Sequence, residues 1–180
     1  MKTSQKLTTD CFKDFGYRNS DIDKWLPKEH PAQDCEITII KPETDMTFLE
    51  MAQKYLGTTD PKEIKKHCLT LPMVEEMIKN ADTNGMVTNG YGNFFFTEDG
   101  DGSVSVGHVD RVGSRWGARV FRLDYGGRWG ADDRLLVCNL SGASTLEPLD
   151  TKHCKCVQEY IDSLPDSKSK GDYYCGRSNV

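Results

Sequence analysis

The chain has 180 residues, 37% of them apolar, and its 23 Lys and Arg against 28 Asp and Glu give a net charge of −5. This composition is slightly polar but able to build a core, and the length fits one domain or one domain with a small appendage. Collagen-like and low-complexity classes are excluded, and no stretch approaches the ~20 apolar residues that a membrane-spanning helix needs.

The N-terminal run Met1 to Asp10 carries Lys2 and Lys6 but no apolar segment behind them, so no secretory leader is expected and the predicted setting is cytoplasmic. The seven cysteines, Cys11, Cys35, Cys68, Cys138, Cys154, Cys156 and Cys175, are odd in number and scattered. That pattern predicts free thiols in a reducing compartment rather than a disulfide framework.

In chain order, residues 1–35 are polar with apolar anchors at Phe12, Phe15, Trp25 and Leu26, and Ser20 to Leu26 reads as one or two helical turns stopped by Pro27. Glu36 to Ile40 is β-branched and ends before Pro42, which predicts a short strand. Thr47 with Glu50 fits a capping box, followed by Phe48, Leu49, Ala52, Tyr55 and Leu56 at helical spacing and by Gly57 as a C-terminal stop. Asp60, Pro61 and Glu63 then read as an N-cap, a first-turn proline and a capping-box partner. Pro72 opens a third helix through Met73, Val74, Met77 and Ile78.

From Asn84-Gly85 onward the punctuation changes to turns and strands. Asn93 to Thr97, Ser103 to Val112, Arg115 to Asp124 and Asp133 to Leu140 predict four strands joined by short Gly-rich turns, an antiparallel meander. A last helix is expected over about 150–164, ended by Pro165. The predicted architecture is one α+β domain over 1–164: helices over about 1–80, a sheet over about 93–140 and the C-terminal helix, with 165–180 as a polar tail.

The stretch from Arg115 to Leu140, RWGARVFRLDYGGRWGADDRLLVCNL, resembles a C-terminal β module in uncharacterised proteins of uncultivated candidate-phylum bacteria. The likeness rests on a Trp, an aromatic-Arg-Leu-Asp strand, a second Trp after glycine and a closing Asp-Arg strand. It implies a bacterial or phage origin and a cytoplasmic setting, and it assigns no functional residues.

The chemistry-bearing residues concentrate in the same window. Arg-Trp-Gly-Ala occurs at Arg115 and again at Arg128, and six of the eight arginines lie between Arg111 and Arg134 with no lysine among them. Arg and Trp are enriched at binding hot spots, and Arg offers a planar donor fork where Lys offers a point charge. Arg115, Arg119, Tyr125, Arg128 and Trp129 are therefore the candidate partner-binding residues. The plainer account is that each Trp closes a sheet end with its Arg solvated beside it, and Asp110, Asp124, Asp132 and Asp133 in the same window offer pairing partners to the arginines.

An enzyme reading rests on His108 and Asp110, two apart on one strand, with Cys138 on a nearby strand. It competes with a structural histidine satisfied by a neighbour. No Gly-x-Ser-x-Gly elbow, Walker loop, dinucleotide fingerprint or His-Glu-x-x-His is present, so no catalytic residue is assigned. Asp99 and Asp101 lack the further oxygen ligands of a calcium loop, and His153-Cys154-Lys155-Cys156 lacks a second ligand pair for zinc, so neither metal nor cofactor is expected. An acidic chain without a basic run makes nucleic acid the weakest partner class. A module that docks a protein partner is the leading expectation.

Overall fold

The computed structural model describes residues 1–139. The helix expected over 150–164 and the tail over 165–180 lie outside the described residues. The strands are β1 Lys6–Leu7, β2 Tyr17–Arg18, β3 Glu29–His30, β4 Glu36–Ile40, β5 Gly92–Glu98, β6 Val104–Val112, β7 Arg115–Arg122 and β8 Arg134–Asn139. The α-helices are α1 Asp21–Trp25, α2 Phe48–Leu56, α3 Pro61–Ile64 and α4 Leu71–Lys79. Among the described residues no helix is long and apolar enough to cross a membrane.

Local chemistry explains the helix boundaries. Thr47 accepts from the Glu50 amide at 3.3 Å and Glu50 accepts from the Thr47 amide at 2.7 Å, a complete capping box, and Gly57 closes α2 in the left-handed region at φ 74°. Asp60 caps α3 through the Lys62 amide at 2.9 Å. The box expected with Glu63 does not close, because the Asp60 amide turns instead to Thr58 Oγ1 at 3.0 Å. The third helix starts at Leu71 with Thr70 as its cap, one residue before Pro72.

A six-stranded sheet in the order β2-β7-β6-β5-β8-β4 organises the chain, and β1 and β3 form a separate two-stranded ribbon. The sheet is mostly antiparallel, which makes the fold mixed α+β, but the expected four-stranded meander is only three strands long. After β7 the chain crosses back over β6 and β5, and β8 pairs parallel to β5, with Asn93 opposite Arg134 and Phe95 opposite Leu136. The edge strand β4 then pairs antiparallel to β8.

Helices cover both faces. On one face Phe95, Val109, Ala118, Val120, Leu136 and Cys138 pack with Met73, Val74 and Met77 of α4 and with Phe12, Ile22 and Leu26. On the other, Phe94, Phe96, Val106, Leu135 and Val137 pack with Phe48, Met51 and Ala52 of α2. Strand residues alternate between the two faces, so one strand serves two cores. Helices this short are marginal alone and depend on that burial.

The β5–β6 hairpin is fastened by a buried carboxylate. Asp99 Oδ2 accepts from Ser103 Oγ, Ser105 Oγ and an Arg122 nitrogen, each at 2.9 Å, and the Arg122 guanidinium lies 3.8 Å over the Trp25 ring. Asp101 stays exposed and accepts from the Ser103 amide and hydroxyl. Replacing Asp99 by Ala strands those donors and is expected to cost ~2–4 kcal/mol, against under ~1 kcal/mol for Asp101→Ala. Urea unfolding midpoints of the two variants check the difference.

Candidate functional site

Strand β7 carries Arg115, Gly117, Arg119 and Phe121 on the face shared with Phe94, while Trp116, Ala118 and Val120 point into the opposite core. At the Phe121 end that face is roofed by α2. Phe121 lies 6.0 Å from Phe48 and 5.1 Å from Tyr125, and Trp129 stacks on Phe48 at 5.9 Å. At the Arg115 end a depression of about 260 Å³ opens between Gly16 and Tyr17 of the β2 edge and Asp110, Arg115, Gly117 and Arg119.

The five candidate residues fall into three situations. Arg115 is exposed and, among the described residues, makes neither an ion pair nor a side-chain hydrogen bond. Arg119 is half-exposed, 3.7 Å from Asp110, with its guanidinium 5.3 Å over the Tyr17 ring. Tyr125 is 46% exposed, beyond the end of β7, with its ring 5.1 Å from Phe121. Arg128 lies elsewhere: it is held by Glu50 at 3.0 Å and by the Asp45 carbonyl at 2.7 Å. Trp129 is a packing residue tied to Met46 by two backbone hydrogen bonds of 2.9 Å, and its buried indole Nε1 has no partner among the described residues.

The two Arg-Trp-Gly-Ala segments are thus not equivalent. The first opens β7 and sends Trp116 to the α4 side; the second holds an isolated β-bridge from Trp129 to Met46 and sends Trp129 to the α2 side. Nor do the nearby aspartates neutralise the arginines as a block. Arg111 reaches Asp82, Arg122 reaches Asp99 and Arg128 reaches Glu50; among the described residues Arg119 alone pairs with a carboxylate of the expected group, and Arg134 reaches the backbone carbonyls of Asp132 and Asp133. Asp133 serves the backbone, accepting from the Gly92 amide at 2.8 Å and the Gly130 amide at 3.0 Å. Tyr17, a wall of the depression, carries no signal in the sequence because it stands about a hundred residues from the strand it joins.

His108 and Asp110 share the Arg119 face, but Cys138 lies in the opposite core beside Leu136, so the three do not assemble. His108 is 5% exposed and packs on Phe94 at 4.7 Å, and its Nδ1 has no partner among the described residues. It is therefore not the satisfied strand histidine of the plainer account. Space for the ring comes from Gly92, where a β-carbon would stand 2.6 Å from Nε2. Burial pushes its pKa down to about 4, Asp110 opposes the shift and Arg119 adds to it. The ring is thus held neutral near pH 7 beside the Asp110–Arg119 pair. Among the described residues no cluster of three or more His, Cys, Asp or Glu is placed to hold a metal ion. No protein-family model, curated protein or solved structure matches this chain.

His30 is the second buried imidazole, 2% exposed and pushed by burial to about 4. Both rings stay neutral when folded while the unfolded chain takes up protons below about pH 6.5, so stability rises with pH between about 4 and 6.5 and is lost as the pH falls through that window. Each contributes at most about 3 kcal/mol to the loss. Urea midpoints between pH 7 and pH 4.5 are expected to fall, with a shallower slope in His30→Gln and in His108→Gln.

Proposed function

We propose that this protein is an interaction module that docks an acidic segment of a protein partner on the β7 face, against Arg115, Arg119, Tyr17 and Tyr125. The observation that carries the reading is Arg115, an exposed guanidinium uncommitted among the described residues, beside a depression of about 260 Å³. The other described arginines are engaged with a carboxylate or a carbonyl. Stacking on Tyr17 holds Arg119 next to it, so two donor forks share one side of a rigid strand. A partner carboxylate reaching Arg115 gains a charge-assisted, bidentate pairing. Tyr17 and Tyr125 add amphipathic rings of the kind that dominate interface cores.

The alternative of a small hydrolase or transferase using His108 and Asp110 has less support, because His108 is buried and neutral and Cys138 faces away. Nucleic-acid binding is supported still less by a chain of net charge −5.

The two arginines call for separate tests, since Arg119→Glu would place a second carboxylate beside Asp110. Arg115→Glu is expected to leave the melting temperature nearly unchanged, an exposed charge contributing ~0–1 kcal/mol. The same change is expected to weaken binding of a purified partner, isolated from the native host, by tenfold or more and to reduce its salt sensitivity. An unchanged affinity in Arg115→Glu and in Tyr125→Ala removes this face as the docking surface.

A further inference from the structure

A second depression, of about 320 Å³, lies between β3 with the chain that follows it, the segment leading into α4 and the end of β5. It shares no lining residue with the depression on the β7 face. Two of its lining residues, His30 and Thr70, carry polar atoms shut away from solvent: His30 Nε2 and Thr70 Oγ1 are buried, and neither has a hydrogen-bond partner among the described residues. Buried polar atoms are ordinarily paired, so two unpaired ones bordering one space call for a bound group that meets them.

Thr70 is the N-cap of α4, where a Thr hydroxyl ordinarily accepts from an amide of the first turn. Here it caps nothing: Pro72 has no amide hydrogen to give, and the Met73 amide donates to the Thr70 carbonyl at 3.1 Å. The wall is fixed all the same. The Gln33 side chain donates to the Cys68 carbonyl at 3.0 Å and accepts from the Thr70 amide at 3.1 Å.

Charge limits what can enter. Lys65 and Glu98 pair with each other at 2.6 Å, and Glu29 is exposed without an ion pair among the described residues. Burial keeps the His30 ring neutral, its pKa pushed down to about 4. An anion would meet Glu29 with no unpaired cation among the described lining residues to offset it. Pro27, Pro31 and Leu69 add apolar wall. The volume falls near the low end of the ~300–1,000 Å³ usual for small-molecule sites, which suits a single ring.

We propose that this depression binds a small uncharged ring with a cyclic amide edge, an N–H beside a C=O, held by His30 and Thr70. A hydroxyl gives or takes a hydrogen bond, and a neutral imidazole nitrogen does one or the other according to its tautomer. An edge that gives one bond and takes one therefore satisfies both atoms in either tautomer.

The test titrates uracil, which has that edge, into the isotope-labelled full chain and follows the backbone amide resonances. Two relatives serve as controls: dimethyluracil, with both ring nitrogens methylated, and orotate, the same ring bearing a carboxylate. The expected result is saturable shifts at His30, Leu69 and Thr70 with uracil, and binding of both controls weaker by about fivefold or more. Thr70→Val removes a hydroxyl that bonds to nothing described, so its melting temperature is expected to hold or rise while uracil affinity falls about fivefold or more. The shift map on the unaltered chain stands if that variant folds poorly. An absence of saturable shifts, shifts centred elsewhere, equal binding of either control, or unchanged uracil affinity in Thr70→Val would overturn the proposal. A lowered melting temperature in Thr70→Val with no uracil shifts in the unaltered chain would likewise overturn it, assigning the two polar atoms to a bound water alone.

Discussion

The rest of the fold depends on the alternation of three consecutive phenylalanines in the central strand. Phe94 and Phe96 face α2, Phe95 faces α4, and all three are at most 1% exposed. Burying a side chain of this size stabilises by roughly 1.5–3 kcal/mol, and here the gain falls on both sides of one backbone. Neither layer of helices can be removed without uncovering one side of this strand. The Phe95 ring lies across Gly107 of the neighbouring strand, where a β-carbon would overlap it, so β6 and β5 fit in only one register.

The charges are arranged around that frame by partner rather than by sequence neighbourhood. Asp99 gathers three donors at the hairpin, Asp133 gathers two backbone amides at the start of the central strand, and Glu50 serves α2 and Arg128 together. Asp110 and Arg119 sit beside His108, whose ring has no polar partner at Nδ1 among the described residues. What remains open on the β7 face is therefore narrow, centred on Arg115 and the rim of Tyr17.

What the sequence made legible was governed by local chemistry. The capping box of Thr47 and Glu50, the strand from Glu36 to Ile40 and the three-stranded run from Gly92 to Arg122 all follow from neighbours within a few residues. The return of β8 to the far side of β5 was not legible, because it is set by distant contacts: Asp133 on the Gly92 amide and Trp129 on the Met46 backbone. The same limit applied to the candidate site. Arg115 and Arg119 share a side by strand period alone, whereas the commitment of Arg128 to α2 and the arrival of Tyr17 at the sheet edge depend on pairing across the chain. Cys138 is separated from His108 by strand registration, which no spacing between them encodes.

The parallel return of β8 also sets the order in which the chain can assemble. During synthesis β4 emerges early, yet its ladder partner lies far downstream; Thr38 and Asn139, joined by a side-chain hydrogen bond, are 101 residues apart. The hairpins from β5 to β7 can close as soon as they leave the ribosome, while Ile37, Ile39 and Ile40 must wait as an uncovered β-branched segment. Closing a loop of that length before any contact rewards it makes the outer half of the sheet the slow half. Lys41 and Pro42 directly after β4 end the segment with a charge and a missing donor, which limits its pairing with other nascent chains during that interval.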